Sequence, residues 1–284
     1  MTLTPTRSII DDAVQARSGV AAFNVIHLET AEGLVAAAER SQLPVVLQIS
    51  QNCVGYHGAL EPIATACAAL AEQSSASVAL HLDHAESEDL TREAVDLGFG
   101  SVMYDGAKLP YGENVAATAR SVAYAHAAGV FVEAELGEVG GKDGAHAPGV
   151  RTDPAEASDF VAETGVDALA VAVGSSHAMT ERVAALDLDL ISRLHAALDV
   201  PLVLHGSSGV ADDVLTLAVR AGMTKINVST HLNGVFTGAI REFLAANPAV
   251  VDSRKYLAPA RAALSAEAER LQRLFALAPH GGTT

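Results

Sequence analysis

VALHLDH, residues 78–84, is a short apolar run that ends in polar, chemistry-capable side chains. The chain repeats that plan seven more times: Val20–Asn24 (VAAFN), Val45–Ser50 (VVLQIS), Ser101–Asp105 (SVMYD), Val130–Glu135 (VFVEAE), Ala168–His177 (ALAVAVGSSH), Pro201–Gly206 (PLVLHG) and Lys225–Thr230 (KINVST). Alanine-rich helical stretches separate the runs. A strand alternating with a helix eight times is the sequence form of an α/β fold of one kind, the closed (β/α)8 TIM barrel. In that fold the chemistry sits at the C-terminal ends of the strands.

Apolar periodicity predicts a helix after each strand, near 28–41, 56–74, 86–97, 111–128, 154–164, 187–197, 211–221 and 231–246. Residues 6–18 place Ile9, Ile10, Ala13 and Val14 near one face, which predicts an N-terminal helix plugging the barrel bottom. A further stretch, 257–277, predicts a C-terminal helical extension. The 284 residues suit a single barrel domain spanning 1–284, since such barrels typically run to ~250 residues. Two loops exceed what a compact barrel needs. Gly137–Asp153 (GEVGGKDGAHAPGVRTD) is rich in glycine and charge and reads as a lid, and His177–Asp187 follows the sixth strand.

Composition narrows the partners. No apolar run approaches the ~18 to 20 residues that span a bilayer. The start MTLTPTRSII lacks a signal-peptide pattern, so a cytoplasmic location is expected. Cys53 and Cys67 form no CxxC pair and read as packing residues. A net charge of −16 argues against nucleic acid and anionic membranes. An anionic small substrate would then need a local positive site, from a divalent metal, backbone N–H groups or an arginine.

His84, His177 and His205 end the third, sixth and seventh strands. Three imidazoles that leave a coordination position open describe a catalytic zinc site. Asp83 is carried to the same mouth, either as general acid/base or as an orienter of a ligand histidine. Asp105 and Glu135 end the next two strands and serve as secondary metal ligands, as orienters or as rim. His81 reads as core or as support for a ligand, and His231 as a helix-start residue within reach of the site. Strand seven runs into Gly206-Ser207-Ser208-Gly209 and strand eight into Asn227-Val228-Ser229-Thr230. Loops at these two positions are where barrels often bind phosphate. The other reading of each is a tight turn before a capped helix.

Together these stretches resemble the class II, metal-dependent aldolases of ketose bisphosphates, most closely the tagatose-bisphosphate type and the shorter fructose-bisphosphate enzymes. The segments AAFNV, LHLDH, SVMYDG, VEAELGEVGG, TGVDALAVAVGSSH, PLVLHGSSG, KINVST and DSRKYL match in order, from about residue 6 to 276. The resemblance implies that His84, His177 and His205 hold Zn2+ and that Asp83 is the catalytic acid/base. It places Asn24, Ser50 and Asn227 around a dihydroxyacetone phosphate unit. Gly206, Ser208, Ser229 and Thr230 fall at its phosphate, often beside a monovalent cation (Na+ or K+). Asp105 and Glu135 match carboxylates near the metal. Asp143, or less closely Glu138, matches an acid of the strand-five loop that handles a carbon-bound proton. Arg254 in DSRKY matches an arginine that reaches the distal phosphate, in some members across a subunit boundary, which implies a homodimer or homotetramer.

The resemblance is imperfect near the acceptor side. Ala85 stands where glycine is common, Tyr104 where an aliphatic is usual, Ala107 where serine is common and His231 where glutamate is common. GSSHA replaces GTAHG. The expected reaction is reversible cleavage of a fructose- or tagatose-type 1,6-bisphosphate to dihydroxyacetone phosphate and an aldehyde such as glyceraldehyde 3-phosphate. A deoxy-keto-gluconate phosphate is the alternative substrate. A metal-dependent hydrolase or isomerase and a catalytically silent sugar-phosphate binder are the readings from other classes. A Schiff-base mechanism is disfavoured, because Lys225 starts its strand and Lys108 and Lys142 lie in loops.

Overall fold

The computed structural model describes residues 3–136 and 151–278. Eight parallel strands close in sequence order, β1 (Val20–Asn24), β2 (Val45–Ser50), β3 (Val78–Ala85), β4 (Ser101–Tyr104), β5 (Phe131–Leu136), β6 (Ala168–Val171), β7 (Leu202–Leu204) and β8 (Met223–Val228). β8 pairs back onto β1, with Ala22 opposite Asn227, so no strand edge is left open. The strands are short and almost wholly buried because helices cover the outside and side chains fill the inside.

The period-two alternation of each strand sorts its side chains. Outward residues such as Phe23, Leu47, Leu80, Leu82, Val132 and Ile226 pack against the helices. Inward residues make a second, smaller apolar cluster at the barrel bottom: Val20, Ala22, Val46, Ala79, Phe131, Ala168, Ala170 and Val203. Ile9, Ile10 and Ala13 of α1 (Thr6–Ala16) complete that cluster, while Val14, expected on the same face, points to solvent. Above this apolar floor the inward positions turn polar: Gln48, His81 and Glu133, then Asn24, Ser50, Asp83, Glu135 and His205.

The outer helices are α2 (Leu28–Ser41), α3 (Gln51–His57), α4 (Glu61–Gln73), α5 (Glu88–Asp96), α6 (Tyr111–Ala127), α7 (Pro154–Thr164), α8 (Leu188–Ala197), α9 (Asp212–Ala221) and α10 (Thr230–Ala246). One expectation needs correction. Residues 56–74 are not one helix. Ser50 caps α3 by accepting from Cys53 N, Gly58 ends it in a left-handed conformation, and Pro62 stands at the start of α4. A proline fits the first turn of a new helix but not the interior of a continuous one. The early start of α3 places its first residues at the mouth of the barrel.

The C-terminal helix α11 (Arg254–Phe275) lies against α2 and α10. Ser265 donates to Gly33 O at 2.5 Å, and a Cβ at Gly33 would meet Leu264 Cδ2 at 3.0 Å. The missing side chain at Gly33 therefore lets the two helices approach. Among the described residues no helix is long and apolar enough to cross a membrane.

The plug should matter to stability rather than to chemistry. Ile10 is buried against the barrel floor. Ile10→Ala is expected to cost about 2–5 kcal/mol in urea unfolding. A change below about 0.5 kcal/mol, the range of a surface substitution, would mean that the helix merely rests on the barrel.

Candidate active site

Asp83 and His84 are neighbours on one strand, so regular pleating would send them to opposite faces. The backbone prevents this. His84 has φ +52°, and the β3–β4 register shifts between Leu82 and Ala85. The left-handed residue turns the strand end, and both side chains line the same cavity. His177 lies beyond β6 in a segment with Gly174 at φ +118° and Ala178 at φ +58°. His205 directly follows β7 and precedes Gly206, whose φ is +66°. A Cβ on Gly206 would stand 2.7 Å from the Ser176 carbonyl. Only glycine lets the Gly206–Gly209 turn press against the segment that carries His177.

The three imidazoles converge. Ring centroids are 4.6 Å apart for His84–His205, 5.0 Å for His84–His177 and 5.7 Å for His177–His205, with the rings steeply inclined. With Glu135 they offer four donor atoms within 4.8 Å of one another. Carboxylates orient two of the rings. His84 Nδ1–H donates to Asp105 Oδ2 at 2.8 Å, which leaves Nε2 facing inward. His205 Nε2–H donates to Glu133 Oε1 at 2.9 Å, which leaves Nδ1 facing inward, 3.2 Å from Glu135 Oε2. A histidine that gives one N–H to a carboxylate and points its other nitrogen at a common centre is arranged as a metal ligand. The donor set fits a divalent cation of zinc type.

Electrostatics agree with that reading. Burial works against a charge on His205, but hydrogen bonds to Glu133 and Glu135 outweigh it and raise its pKa to about 9. The same nest of carboxylates favours a positive charge at this point. A divalent ion would supply that positive charge. His81, one layer below, is pushed down to about 3, first by burial and then by Lys225. It is neutral and takes no part in that balance.

Asp83 is wholly enclosed, yet its carboxyl is held well below the usual range. Burial alone would raise it, and the charges of His84, His205 and Lys225 overcome that. Asn24 Nδ2 donates to Asp83 Oδ2 at 2.9 Å, and Gln48 Nε2 in turn donates to Asn24 Oδ1 at 3.2 Å. Asp83 Oδ1 accepts no hydrogen bond and stands 3.9 Å from His84 Nε2. One oxygen is therefore fixed, and the other is free to take a proton from a bound molecule.

The cavity holds about 220 Å³. Its other wall is made by Gly206, Ser208, Asn227, Ser229 and Thr230. Ser207 donates to Asn227 O, and His231 N donates to Ser208 Oγ at 3.1 Å, which ties the two loops together. α10 starts here at Thr230, so its positive dipole end faces the cavity. The turn is also stitched to the loop after β6. Arg182 Nε donates to Val210 O at 2.7 Å, Arg182 Nη2 is 2.5 Å from Asp212 Oδ1, and Ala184 N donates to Gly209 O at 2.8 Å.

Most residues singled out in the sequence thus meet at one place: Asn24, Ser50, Asp83, His84, His177, Gly206, Ser208, Asn227, Ser229 and Thr230 line the cavity, while Glu135, Asp105 and His205 stand behind or beside it. Arg254 does not join them within one chain. Its side chain is 89% exposed and doubly bonded to Asp252 at 3.0 and 2.9 Å, at the start of α11. Asp143 and Glu138 lie outside the described residues. His231 turns away from the cavity to Glu267, 2.6 Å away.

Three residues escaped the sequence reading. Asn52 lines the mouth because α3 starts earlier than its periodicity suggests. Glu133 supports His205, and the signal was present, since in VEAE it falls on the same strand face as Glu135. Lys225 is not at the strand start. It is the third residue of β8 and is enclosed in the barrel interior, 2.9 Å from Glu133 Oε2.

Comparison with known proteins agrees with this geometry. The family model of class II fructose-bisphosphate aldolase matches residues 4–279. A fructose-bisphosphate aldolase of Geobacillus stearothermophilus is 38% identical over 270 residues, covering 94% of each chain. One from Giardia intestinalis is 36% identical over 308 residues, covering 99% of this chain and 95% of that one. Among solved structures, the YdjI aldolase of Escherichia coli K12 superposes with a TM-score of 0.84 at 31% identity, covering 96% of this chain and 97% of that one. A closed eight-stranded barrel, three converging histidines and an adjoining ionised aspartate are thus set in a chain that belongs to the class II fructose-bisphosphate aldolase family of aldehyde-lyases.

Proposed function

We propose that the chain is a zinc-dependent aldolase that reversibly cleaves a ketose 1,6-bisphosphate of the fructose or tagatose type. The products are dihydroxyacetone phosphate and glyceraldehyde 3-phosphate. The observation that carries this is Asp83: an enclosed carboxylate with one oxygen fixed by Asn24 and the other unbonded beside His84. The relatives named fructose-bisphosphate aldolase favour the fructose-type substrate over a deoxy-keto-gluconate phosphate.

A zinc ion held by His84, His177 and His205 would supply Lewis acidity, offsetting negative charge that builds on the donor's carbonyl oxygen. The chain does the rest. The donor phosphate sits against Gly206–Ser208 and the start of α10, where backbone N–H groups and the helix dipole offer positive potential in an otherwise acidic protein. Asn227, Ser229 and Thr230 add polar side chains there. Asp83 Oδ1 removes the proton of the C4 hydroxyl, a C4–O double bond forms, and the C3–C4 bond breaks. Its electron pair passes to C3 of the donor fragment. A proton delivered to C3, for which we assign Asp143, completes dihydroxyacetone phosphate. Asn24 and Ser50 line the cavity beside that donor unit, with Asn52 next to them at the mouth. Arg254, solvent-facing in one chain, serves the distal phosphate of a neighbouring subunit in this reading, which makes the enzyme a homo-oligomer.

Three experiments test the proposal. Purified protein is assayed for cleavage of fructose and tagatose 1,6-bisphosphates before and after chelation. Cleavage should vanish on chelation and return with zinc, and activity indifferent to chelators would overturn the metal reading. Asp83→Asn should retain zinc and lose turnover by ~10²- to 10⁴-fold. Loss of zinc with turnover intact in the zinc-saturated variant would make Asp83 an orienter of His84 instead. Arg254→Ala should raise KM for the bisphosphate strongly, yet leave proton exchange on dihydroxyacetone phosphate alone unchanged. Mixed with Asp83→Asn protein it should regain part of its cleavage activity. Equal loss in both assays would remove the arginine from a distal-phosphate role.

A further inference from the structure

We propose that Lys225 and Glu133 form a buried clamp that positions His205, so that metal affinity depends on a lysine that touches neither metal nor substrate. The inference rests on the metal reading above and assigns a positioning role to two charged groups that stand below the cavity, neither of them among its lining residues. Both are enclosed in the barrel interior, beneath the three histidines.

The geometry engages each oxygen of one carboxylate. Glu133 Oε1 accepts from His205 Nε2 at 2.9 Å, and Oε2 stands 2.9 Å from Lys225 Nζ. His81 Nε2 approaches Oε2 at 3.8 Å, and its Nδ1 is fixed by Ser101 Oγ at 2.8 Å. Ser101 in turn accepts from Thr6 of α1 at 2.9 Å. The carboxylate cannot swing away from His205 without leaving the ammonium unpaired. His205 Nδ1 is thereby held toward Glu135, 3.2 Å away, at the place where a ligand nitrogen is needed.

Energetics make a purely stabilising role a poor explanation. Burying an ammonium and a carboxylate costs desolvation that their attraction barely repays, and apolar residues of the same volume do as well or better. The pair is better explained by what it holds in place. The strand pattern puts it where that matters. Val203 pairs with Lys225, so the lysine sits two residues below His205 on the neighbouring strand, and Glu133 sits two below Glu135. The clamp is the floor on which two donors of the cation site rest. Carboxylates that orient a ligand histidine from behind typically control metal affinity by ~10- to 100-fold.

The test compares wild-type protein with Lys225→Met and with the double variant Glu133→Gln/Lys225→Met, which leaves no charge of the pair buried. Zinc affinity is measured by competition with a chromophoric chelator, apo-protein melting by calorimetry, and ligand geometry by the visible absorption of cobalt-loaded protein. Lys225→Met should bind zinc ~10- to 100-fold more weakly and shift the cobalt bands. The double variant should melt near wild type yet remain as weak for zinc. Wild-type zinc affinity and spectra in a folded Lys225→Met protein would overturn the clamp. If Lys225→Met fails to fold, the double variant decides: wild-type affinity there would make the pair mere charge balance. Wild-type protein that binds no zinc would overturn the metal reading itself, whereas tight wild-type binding with unchanged variants would overturn only the clamp.

Discussion

The hydrogen bond from His205 to Glu133 is the contact on which the site's order depends. It runs across the barrel interior from the end of β7 to β5, and it decides which nitrogen of His205 faces the other two histidines. A carboxylate there would be costly alone. Lys225 from β8 offsets its charge, and neutral His81 from β3 packs beside it. Contacts across four strands are possible only because the barrel is closed, its bottom is filled by small and apolar side chains, and its inward positions turn polar one layer higher. The apolar floor excludes water from below, which makes the charges above it strong and their arrangement specific.

The upper rim carries two groups of residues on facing sides of the cavity. Three histidines and Glu135 gather on one side, while the Gly206–Gly209 turn and the start of α10 make up the other. The two sides are mechanically joined. Gly206 packs on the backbone of Ser176, next to His177, and Arg182 and Ala184 bond the loop after β6 to Val210 and Gly209. Asp83 stands between them, fixed through Asn24 of β1, which is held in turn by Gln48 of β2, the strand that pairs with β3. A substrate with a carbonyl beside a phosphate ester would meet both sides at once. This is the shape of the donor half of a ketose bisphosphate. Among the described residues that line the cavity there is no lysine or arginine.

Much of this was legible in one chain of letters. The eight apolar runs specify the barrel because a parallel strand buried on both faces needs a continuous apolar stretch, and its polar terminus can only lie at the rim. His84 and His205 follow from that rule, as do Glu135 and the GSSG and NVST turns, whereas His177 stands in the loop beyond the end of β6. Periodicity failed where local chemistry outweighs it. The Ser50 cap and Gly58 split one expected helix into two, and this brings Asn52 to the mouth. Strand order also misplaced Lys225, because its register is set by pairing with Val203 rather than by where the apolar run begins.

By itself the sequence determined the fold, the residue types at the rim and the family, because these depend on period, order and spacing along the chain. The tertiary structure alone decided how those groups face one another. Asp83 and His84 share a cavity through one left-handed residue and a shift of register. The ring nitrogens of His84 and His205 are selected by carboxylates from the end of the adjacent strand β4 and from β5, two strands away. Arg254 stays outside because it starts a helix on the barrel's exterior, bonded to Asp252. Which atom of a side chain meets which partner depends on strand register, backbone twist and contacts between residues far apart in the chain, and none of these is written in local sequence.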